Sequence, residues 1–281
     1  MAEDPPAGRA APRATYRLQL HAGFTCDDAA AIVPYLARLG VSHAYCSPLL
    51  RARRGSLHGY DVVDHDAINP ELGGREGFDR LVAALRAHGM GLVFDVVPNH
   101  MGVFGDDNAW WMDVLEHGPA SAFATYFDID WHPADTDLAG KVLAPVLGDR
   151  YGAVLASGEL VAAFEPDRGT FAVRYHGHRF PVDPRDYALL LAQAPDPLPD
   201  LAREFAALPP REDGGARGER ARLALALKGR LAKAAGYAGT LKAIEACAAA
   251  VSADREGRLH ALLERQAWRL AYWKVAADGI N

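Results

Sequence analysis

Hydrophobic and polar residues along the first 100 positions follow the pattern of strands separated by helices. Three strands are predicted, over 15–20, 41–47 and 91–97. Two helices are predicted between them, over about 25–39 and about 75–88. Thr25 and Asp28 have the spacing of a capping box that opens the first helix, and Pro34 predicts a kink or a late start. Because strands that alternate with helices form parallel sheets, this region predicts an α/β fold, the opening of a (β/α) barrel or a doubly wound sheet.

The segments outside this regular region have other patterns. A polar loop of about 25 residues follows the second strand, and loops of that length are usually functional or disordered. Residues 104–135 are rich in aromatic side chains, and 159–182 predict an antiparallel hairpin that turns at 166–169. Residues 209–218 predict a flexible, charged linker, and 217 to about 277 predict two or three helices.

The composition allows a large apolar core and gives no case for a strongly anionic partner. Half of the 281 residues are hydrophobic, and the net charge is −6. Neither nucleic acid nor a membrane is therefore predicted as a partner. Three widely spaced cysteines (Cys26, Cys46 and Cys247) argue against a disulfide framework. With no signal-peptide pattern and no apolar run of membrane-spanning length, a cytoplasmic location is predicted.

Polar side chains gather at or just after the predicted strand over 91–97, and in one segment of the long loop. Asp95, Asn99 and His100 belong to the first group, and the run His58-Gly-Tyr-Asp61 forms the second. In barrels, the carboxyl ends of the strands carry the chemistry. A sugar site needs a flat apolar surface, which a tyrosine ring provides, and fixed polar groups for the hydroxyls. Each residue alone fits an ordinary turn or core edge, but together they favour a site.

The predicted substrate-binding residues are His58, Tyr60, Asp61, Asp95, Asn99 and His100. His176 and His178, with Asp183 nearby, are candidates for a metal site, because alternate residues of a strand share one face. No second ligand cluster accompanies them, so exposed strand histidines are favoured, and neither a metal nor another cofactor is predicted.

Blocks along nearly the whole chain after residue 14 resemble the maltooligosyltrehalose synthase family of the α-amylase superfamily. The matching positions are 14–20, 23–25, 35–36, 39–43, 47–50, 55–56, 58–61, Asp64, 69–74, 95–101, 171–175, 179–184, 268–273 and 276–281. The resemblance implies a (β/α)8 barrel and conversion of the reducing-end α-1,4 linkage of a maltooligosaccharide to α-1,1. It also implies the retaining route, through a glycosyl-enzyme.

The catalytic carboxylates that the resemblance implies are not in this sequence. The nucleophile belongs to a Gly-x-Arg-x-Asp strand, which does not occur here, and the acid and the stabilising residue come later still. All three are therefore expected beyond Asn281, the last residue of the sequence. The chain is expected to be an amino-terminal portion whose partners are maltodextrin and the remainder of the same polypeptide.

The resemblance also suggests how the chain is divided. The expected regions are a disordered terminus over 1–13, three β/α units over 14–103 and an inserted subdomain over 104–281. Within the insertion, the aromatic and hairpin part runs to 200 and the helical part follows. The barrel itself is expected to be incomplete in these 281 residues.

Two alternatives remain open at this point. One is another enzyme of the α-amylase superfamily, a hydrolase or a 4-α-glucanotransferase. The other is a non-catalytic glucan-binding protein that keeps the sugar-facing residues. Without the catalytic carboxylates, the chain alone is expected to be inactive on maltooligosaccharides.

Overall fold

A three-stranded parallel sheet organises the first part of the computed structural model, which describes residues 11–212 and 217–276. The described residues form two compact units, the first ending at Ala109 and the second beginning at Trp110. The elements of the first unit are β1 (Thr15–Leu18), α1 (Cys26–Arg38), β2 (His43–Cys46), β3 (Leu50–Ala52), β4 (Val62–Ile68), a 3-10 turn (Pro70–Leu72), α2 (Gly74–Ala87) and β5 (Gly91–Phe94). The sheet order is β1-β2-β5, so the predicted alternation of strands and helices is confirmed.

Helix α1 begins where the capping residues place it. The Thr25 backbone N–H donates to the Asp28 carboxylate at 2.8 Å, and the Asp28 N–H donates back to Thr25 Oγ1 at 3.5 Å. Pro34 lies inside the helix, so the late start considered from the sequence is wrong. The cap fixes the first turn before Pro34 is reached.

The two faces of the parallel sheet have different chemistry because side chains alternate across a strand. Leu18 and Cys46 pair in register and join the apolar core that α1 and α2 complete. On the opposite face, Arg17, Tyr45 and Val93 pair in register. That second face therefore carries polar side chains toward the carboxyl ends of the strands.

The segment after β2 is more ordered than predicted. Instead of a long loop, it contains β3 and β4, which pair antiparallel. Val62 and Val63 are buried and anchor β4. The charged residues that follow them in β4 make the segment polar in sequence. The unstructured-loop expectation is wrong because tertiary burial of two valines outweighs the polar composition.

The second unit combines an antiparallel sheet with helices. Its elements are α3 (Ala109–His117, which starts at the last residue of the first unit), β6 (Val142–Leu147), α4 (Tyr151–Ser157), β7 (Val161–Glu165), β8 (Thr170–Tyr175), β9 (His178–Pro181), α5 (Tyr187–Leu191), α6 (Leu198–Ala206), α7 (Arg217–Ala235), α8 (Ala238–Ala253), α9 (His260–Glu264), β10 (Trp268–Tyr272) and α10 (Trp273–Ala276). Single turns of 3-10 helix cover Gly118–Ala120, Thr136–Leu138 and Pro184–Asp186, and a π-helical turn covers Arg255–Leu259.

Strands β7, β8 and β9 form the predicted antiparallel arrangement, with the turn at 166–169 between β7 and β8. The region after 217 is not purely helical as predicted, because β10 pairs in parallel with the distant β6. The indole of Trp268, at the start of β10, is buried and donates to the Pro181 carbonyl at 2.8 Å. Long-range pairing therefore decides the conformation of β10.

Part of the predicted linker is anchored by arginine side chains. The Arg211 guanidinium donates to the Arg265 carbonyl at 2.8 Å, and Arg220 donates to the Pro209 carbonyl. In its described part, the linker is therefore held by contacts that its charged composition does not predict.

Some of the expectations from the sequence lie outside the described residues. They concern 1–10 of the predicted disordered terminus, 213–216 of the linker and 277–281 of the last resemblance block. The catalytic carboxylates are expected beyond Asn281, and this expectation stays a prediction. Among the residues that the structure describes, no helix is both long and apolar enough to cross a membrane.

Candidate functional site

Four side chains meet at the carboxyl ends of β1, β2 and β5. Asp95 follows β5 directly, and its Oδ2 accepts hydrogen bonds from Arg17 at 3.0 Å, Tyr60 at 2.7 Å and Tyr45 at 3.3 Å. The second terminal nitrogen of Arg17 donates to the Tyr60 hydroxyl at 2.8 Å. The Arg17 guanidinium also lies over the Tyr45 ring, 4.3 Å from its centroid. A connected polar network therefore joins three strands and the segment between β3 and β4.

Tyr60 reaches this network because the preceding glycine brings two backbones together. Gly59 has φ +77°, and a Cβ added to it would lie 2.8 Å from the Pro48 carbonyl oxygen. Its N–H donates to Ser56 Oγ at 3.1 Å. The Tyr60 side chain is left 38% exposed, so an aromatic surface faces solvent while its hydroxyl is held in place.

Two histidines fix the backbone on either side of Tyr60. His58 Nδ1 accepts from the Tyr60 N–H at 3.0 Å, and the two rings are roughly parallel, with centroids 6.0 Å apart. His100 Nε2 lies 3.1 Å from the Tyr60 carbonyl oxygen, so this nitrogen is the donor. The loop after β5 is thereby tied to the segment that carries Tyr60.

The other two predicted residues take different positions. The Asp61 carboxylate accepts from Ser56 Oγ and lies 3.9 Å from His58 Nδ1, so it supports the turn around Gly59. Asn99 is exposed, next to His100 in the loop after β5. The structure thus joins His58, Tyr60, Asp61, Asp95 and His100 by direct contacts.

Sequence reasoning missed Arg17 and Tyr45. A signal for Arg17 was present, because the alternation of 15–20 places it on the face opposite Leu18. Tyr45 lies directly beside it in the register of β1 and β2. Recognising that these two share the face of Asp95 requires the pairing of all three strands.

The network favours a charged carboxylate. The hydrogen bond from Tyr60, followed by the one from Arg17, holds the pKa of Asp95 below its ordinary value. The same bond to Asp95 raises the pKa of the Tyr60 phenol, although Arg17 opposes this. Burial acts to lower the pKa of Arg17, but its bonds to Asp95 and Tyr60 outweigh burial. At neutral pH, the site is an ionised aspartate beside a neutral phenol and a cation.

The histidines considered for a metal do not share a strand. His176 lies in the turn between β8 and β9 at φ 47°, and its Nε2 is 2.9 Å from Glu159, whereas His178 begins β9. The expected alternation of both rings on one strand face is therefore wrong. Across 11–212 and 217–276, no group of three or more His, Cys, Asp or Glu side chains has the arrangement of a metal site.

Comparisons of sequence and structure identify known proteins that this chain resembles. Residues 30–150 match the family described as the catalytic domain of alpha amylase. A putative maltooligosyl trehalose synthase from Mycobacterium tuberculosis is 51% identical over 140 residues, which is 48% of this chain and 18% of that protein. A maltooligosyltrehalose synthase structure from Arthrobacter ramosus matches 61% of this chain and 21% of its own, with 46% identity and a TM-score of 0.54.

A further crystal structure of a maltooligosyl trehalose synthase matches 94% of this chain, with 28% identity and a TM-score of 0.61. The resemblance to maltooligosyltrehalose synthases is confirmed. The alpha-amylase match ends at residue 150, whereas this structural match extends over both units. The second unit therefore resembles these synthases too. The chain spans 18% of the curated M. tuberculosis relative and 26% of that solved synthase.

Proposed function

We propose that this chain is part of a glucan transglycosylase that converts the reducing-end α-1,4 linkage of maltooligosaccharides to α-1,1, as in trehalose synthesis. The observation that carries the proposal is the Tyr60 ring, exposed at the carboxyl ends of a parallel sheet and held through its hydroxyl by Asp95 and Arg17. The similarity to maltooligosyltrehalose synthases supports this choice of chemistry.

Each predicted site residue has a role in this proposal. The Tyr60 ring stacks on the apolar face of a glucosyl unit, and Asp95, Asn99 and His100 bind its hydroxyls. His58 and Asp61 hold the turn that presents Tyr60. His100 keeps one ring nitrogen on the Tyr60 carbonyl, so the other is available to the sugar.

The chemical step needs groups that this sequence does not supply. By resemblance, an acid protonates the glycosidic oxygen, a carboxylate forms the glycosyl-enzyme, and a sugar hydroxyl resolves it. The nucleophile would stand in a Gly-x-Arg-x-Asp strand, a motif that does not occur in the 281 residues. The nucleophile, the acid and the stabilising residue are therefore proposed to lie beyond Asn281, in the remainder of the same polypeptide.

The same reasoning extends to the architecture. We propose that the sheet β1-β2-β5 is one part of a (β/α)8 barrel and that the second unit is an insertion into it. The match of residues 30–150 to an alpha-amylase catalytic domain supports the barrel. Because the catalytic carboxylates are missing, the chain alone is proposed not to turn over maltooligosaccharides.

A cytoplasmic location is part of the same proposal. Cys26 and Cys46 are buried free thiols, as expected in a reducing compartment. Burial raises the pKa of Cys26 to about 11 and that of Cys46 to about 12, which keeps both thiols protonated and unreactive.

A chimera tests the activity. This chain would replace the matching region of the Arthrobacter ramosus synthase, and the products from maltopentaose would be analysed. The proposal expects reducing ends to disappear without release of glucose. A hydrolase would increase reducing ends, and a 4-α-glucanotransferase would change chain lengths at constant reducing ends. Either result would contradict the proposed reaction.

A non-catalytic glucan-binding protein is the second candidate. It is supported by one feature of the sequence, that the residues predicted to bind sugar are present while the catalytic motif is not. An inactive but folded chimera, together with maltopentaose binding by the chain itself, would favour this candidate over the transglycosylase.

A further inference from the structure

Arg17 occupies the centre of the network although no sugar-facing motif contains it. Its two terminal nitrogens take different partners, Asp95 Oδ2 at 3.0 Å and the Tyr60 hydroxyl at 2.8 Å. Its flat face covers the Tyr45 ring. Two divergent donors on a planar group that also stacks are properties of arginine that lysine cannot reproduce.

Arg17 and Asp95 together determine the orientation of the Tyr60 hydroxyl. A phenol has one proton, which Tyr60 donates to Asp95 at 2.7 Å. The lone pair of the same oxygen accepts from Arg17. Both functions of the hydroxyl are therefore used, and the exposed ring is fixed at its far end.

The two oxygens of the Asp95 carboxylate differ in their hydrogen bonding. Arg17, Tyr45 and Tyr60 all donate to Oδ2, and no described residue donates to Oδ1. The Asp95 side chain is 23% exposed. A charged carboxylate that is held in place on a partly exposed side chain is a strong acceptor for a hydroxyl.

We propose that Arg17 is a positioning residue that holds Tyr60 and Asp95 as one unit and leaves Asp95 Oδ1 to accept a hydroxyl of the glucosyl unit stacked on Tyr60. The role of Oδ1 rests on the proposed function, whereas the coupling of Arg17 to Asp95 and Tyr60 does not. Without Arg17, the carboxylate loses its only cation and the phenol loses its only donor among the described residues.

A titration tests the coupling independently of sugar. The ¹³C shifts of the Asp95 carboxyl and the Tyr60 phenol carbon would be followed against pH by NMR in the 281-residue chain, in Arg17→Leu and in Arg17→Lys. The Asp95 midpoint is expected to rise in Arg17→Leu and to rise less in Arg17→Lys, since lysine keeps the charge but not the fork. A purely structural role would change the melting temperature without moving this midpoint.

Arg80→Leu is the matched control. Arg80 is also bonded to an aspartate, Asp27, through two nitrogens, at 2.6 and 2.8 Å, but joins α2 to α1 away from the network. This variant removes the same charge from the same unit. It is expected to leave the Asp95 midpoint and sugar affinity unchanged.

Calorimetric titration with maltopentaose tests the role of Oδ1. Arg17→Leu is expected to bind about tenfold more weakly than the wild type, with Arg17→Lys between them. If Arg17→Leu is folded but leaves both the midpoint and the affinity unchanged, the proposal is overturned. If it does not fold, Arg17→Lys decides, and wild-type values in that variant overturn the proposal.

The two proposals can fail separately. If the wild type binds no maltopentaose while Arg17→Leu still shifts the Asp95 midpoint, the proposed function and the role of Oδ1 fail, and the positioning role of Arg17 stands. If maltopentaose binds normally to folded Arg17→Leu, the proposed function stands and Arg17 has no part in sugar binding.

Discussion

Only glycine fits at position 59, because the backbone of Pro48 leaves no room for a side chain. A Cβ at Gly59 would lie 2.8 Å from the Pro48 carbonyl oxygen, and its φ of +77° is unfavourable for any other residue. We expect Gly59→Ala to lower the free energy of unfolding by at least about 2 kcal/mol and to displace Tyr60 from Asp95. Urea denaturation and the phenol ¹³C shift of Tyr60 would measure the two effects.

Gly55→Ala is the control that separates the cost of a positive φ from the cost of the contact with Pro48. Gly55 has nearly the same φ, +75°, but a Cβ there would meet nothing within 4 Å. Its expected destabilisation is about 1 kcal/mol, the ordinary penalty of the left-handed conformation. Equal destabilisation by both variants would show that contact with Pro48 does not position Tyr60.

Single residues were predictable where a motif marks them. His58, Tyr60, Asp95 and His100 stand in two short runs that predict a sugar site, and the structure brings these residues into contact. Arg17 was missed because its strand reads only as alternating polar and apolar residues. What places Arg17 beside Tyr45 and Asp95 is the cross-strand register, which no local pattern contains.

At the scale of elements, one carboxylate joins all three strands of the antiparallel sheet. Glu165 on β7 is bonded to Arg174 on β8 and, through two nitrogens, to Arg179 on β9. Arg179 is buried, so Arg179→Leu leaves a largely buried carboxylate without its main partner. We expect this variant to lose about 3 kcal/mol of stability in urea denaturation.

Arg174→Leu is the control for that prediction. It removes a cation from the same carboxylate, but the Arg174 side chain is 41% exposed. Its expected destabilisation is under about 1 kcal/mol, as for other exposed ion pairs. Similar destabilisation by the two variants would mean that burial of the Arg179 pair has no special weight.

Glu165 also predicts an acid dependence of stability. Burial acts to raise its pKa, but bonding to Arg179 and then Thr170, with the charge of Arg174, lowers it from 4.5 to about 2. Because the folded-state pKa is the lower one, the stabilisation is fully present above the unfolded value and is lost as pH falls from about 4.5 toward 2. Urea denaturation at pH 7, 4 and 3 should show this loss, and Arg179→Leu should reduce it. An equal loss in that variant would contradict the assignment.

Elements were predictable where local signals agree. The capping box at Thr25 places the start of α1, and the turn at 166–169 places the junction of β7 and β8. Strand β10 was not predictable, because its sequence lies among helix-forming residues and its partner β6 is more than 100 positions away. Burial of Trp268 and pairing with β6 outweigh local propensity there.

At the scale of the whole molecule, the edge of the parallel sheet is expected to control association between chains. In the described part of the chain, β5 has a neighbouring strand on one side only, and its last residue, Phe94, is 45% exposed. Unpaired edges with exposed apolar residues favour association between chains. We expect concentration-dependent self-association in sedimentation velocity, reduced by Phe94→Lys.

Leu225→Lys provides the comparison for this edge. Leu225 is 72% exposed but lies on α7, where the backbone is already hydrogen-bonded within the helix. The same added charge there should change self-association little. Equal reduction by both variants would assign the effect to net charge instead of the sheet edge.

We infer that a glucosyl unit binds at the carboxyl ends of β1, β2 and β5, on the Tyr60 ring. The most direct measurement is NMR mapping of maltopentaose on the 281-residue chain, with affinities for wild type, Tyr60→Ala, His100→Ala and His176→Ala. Shift changes are expected at 57–61 and 95–102, with about tenfold weaker binding by Tyr60→Ala and His100→Ala and unchanged binding by His176→Ala. Shift changes centred on the turn at His176, with full affinity in Tyr60→Ala, would contradict the account.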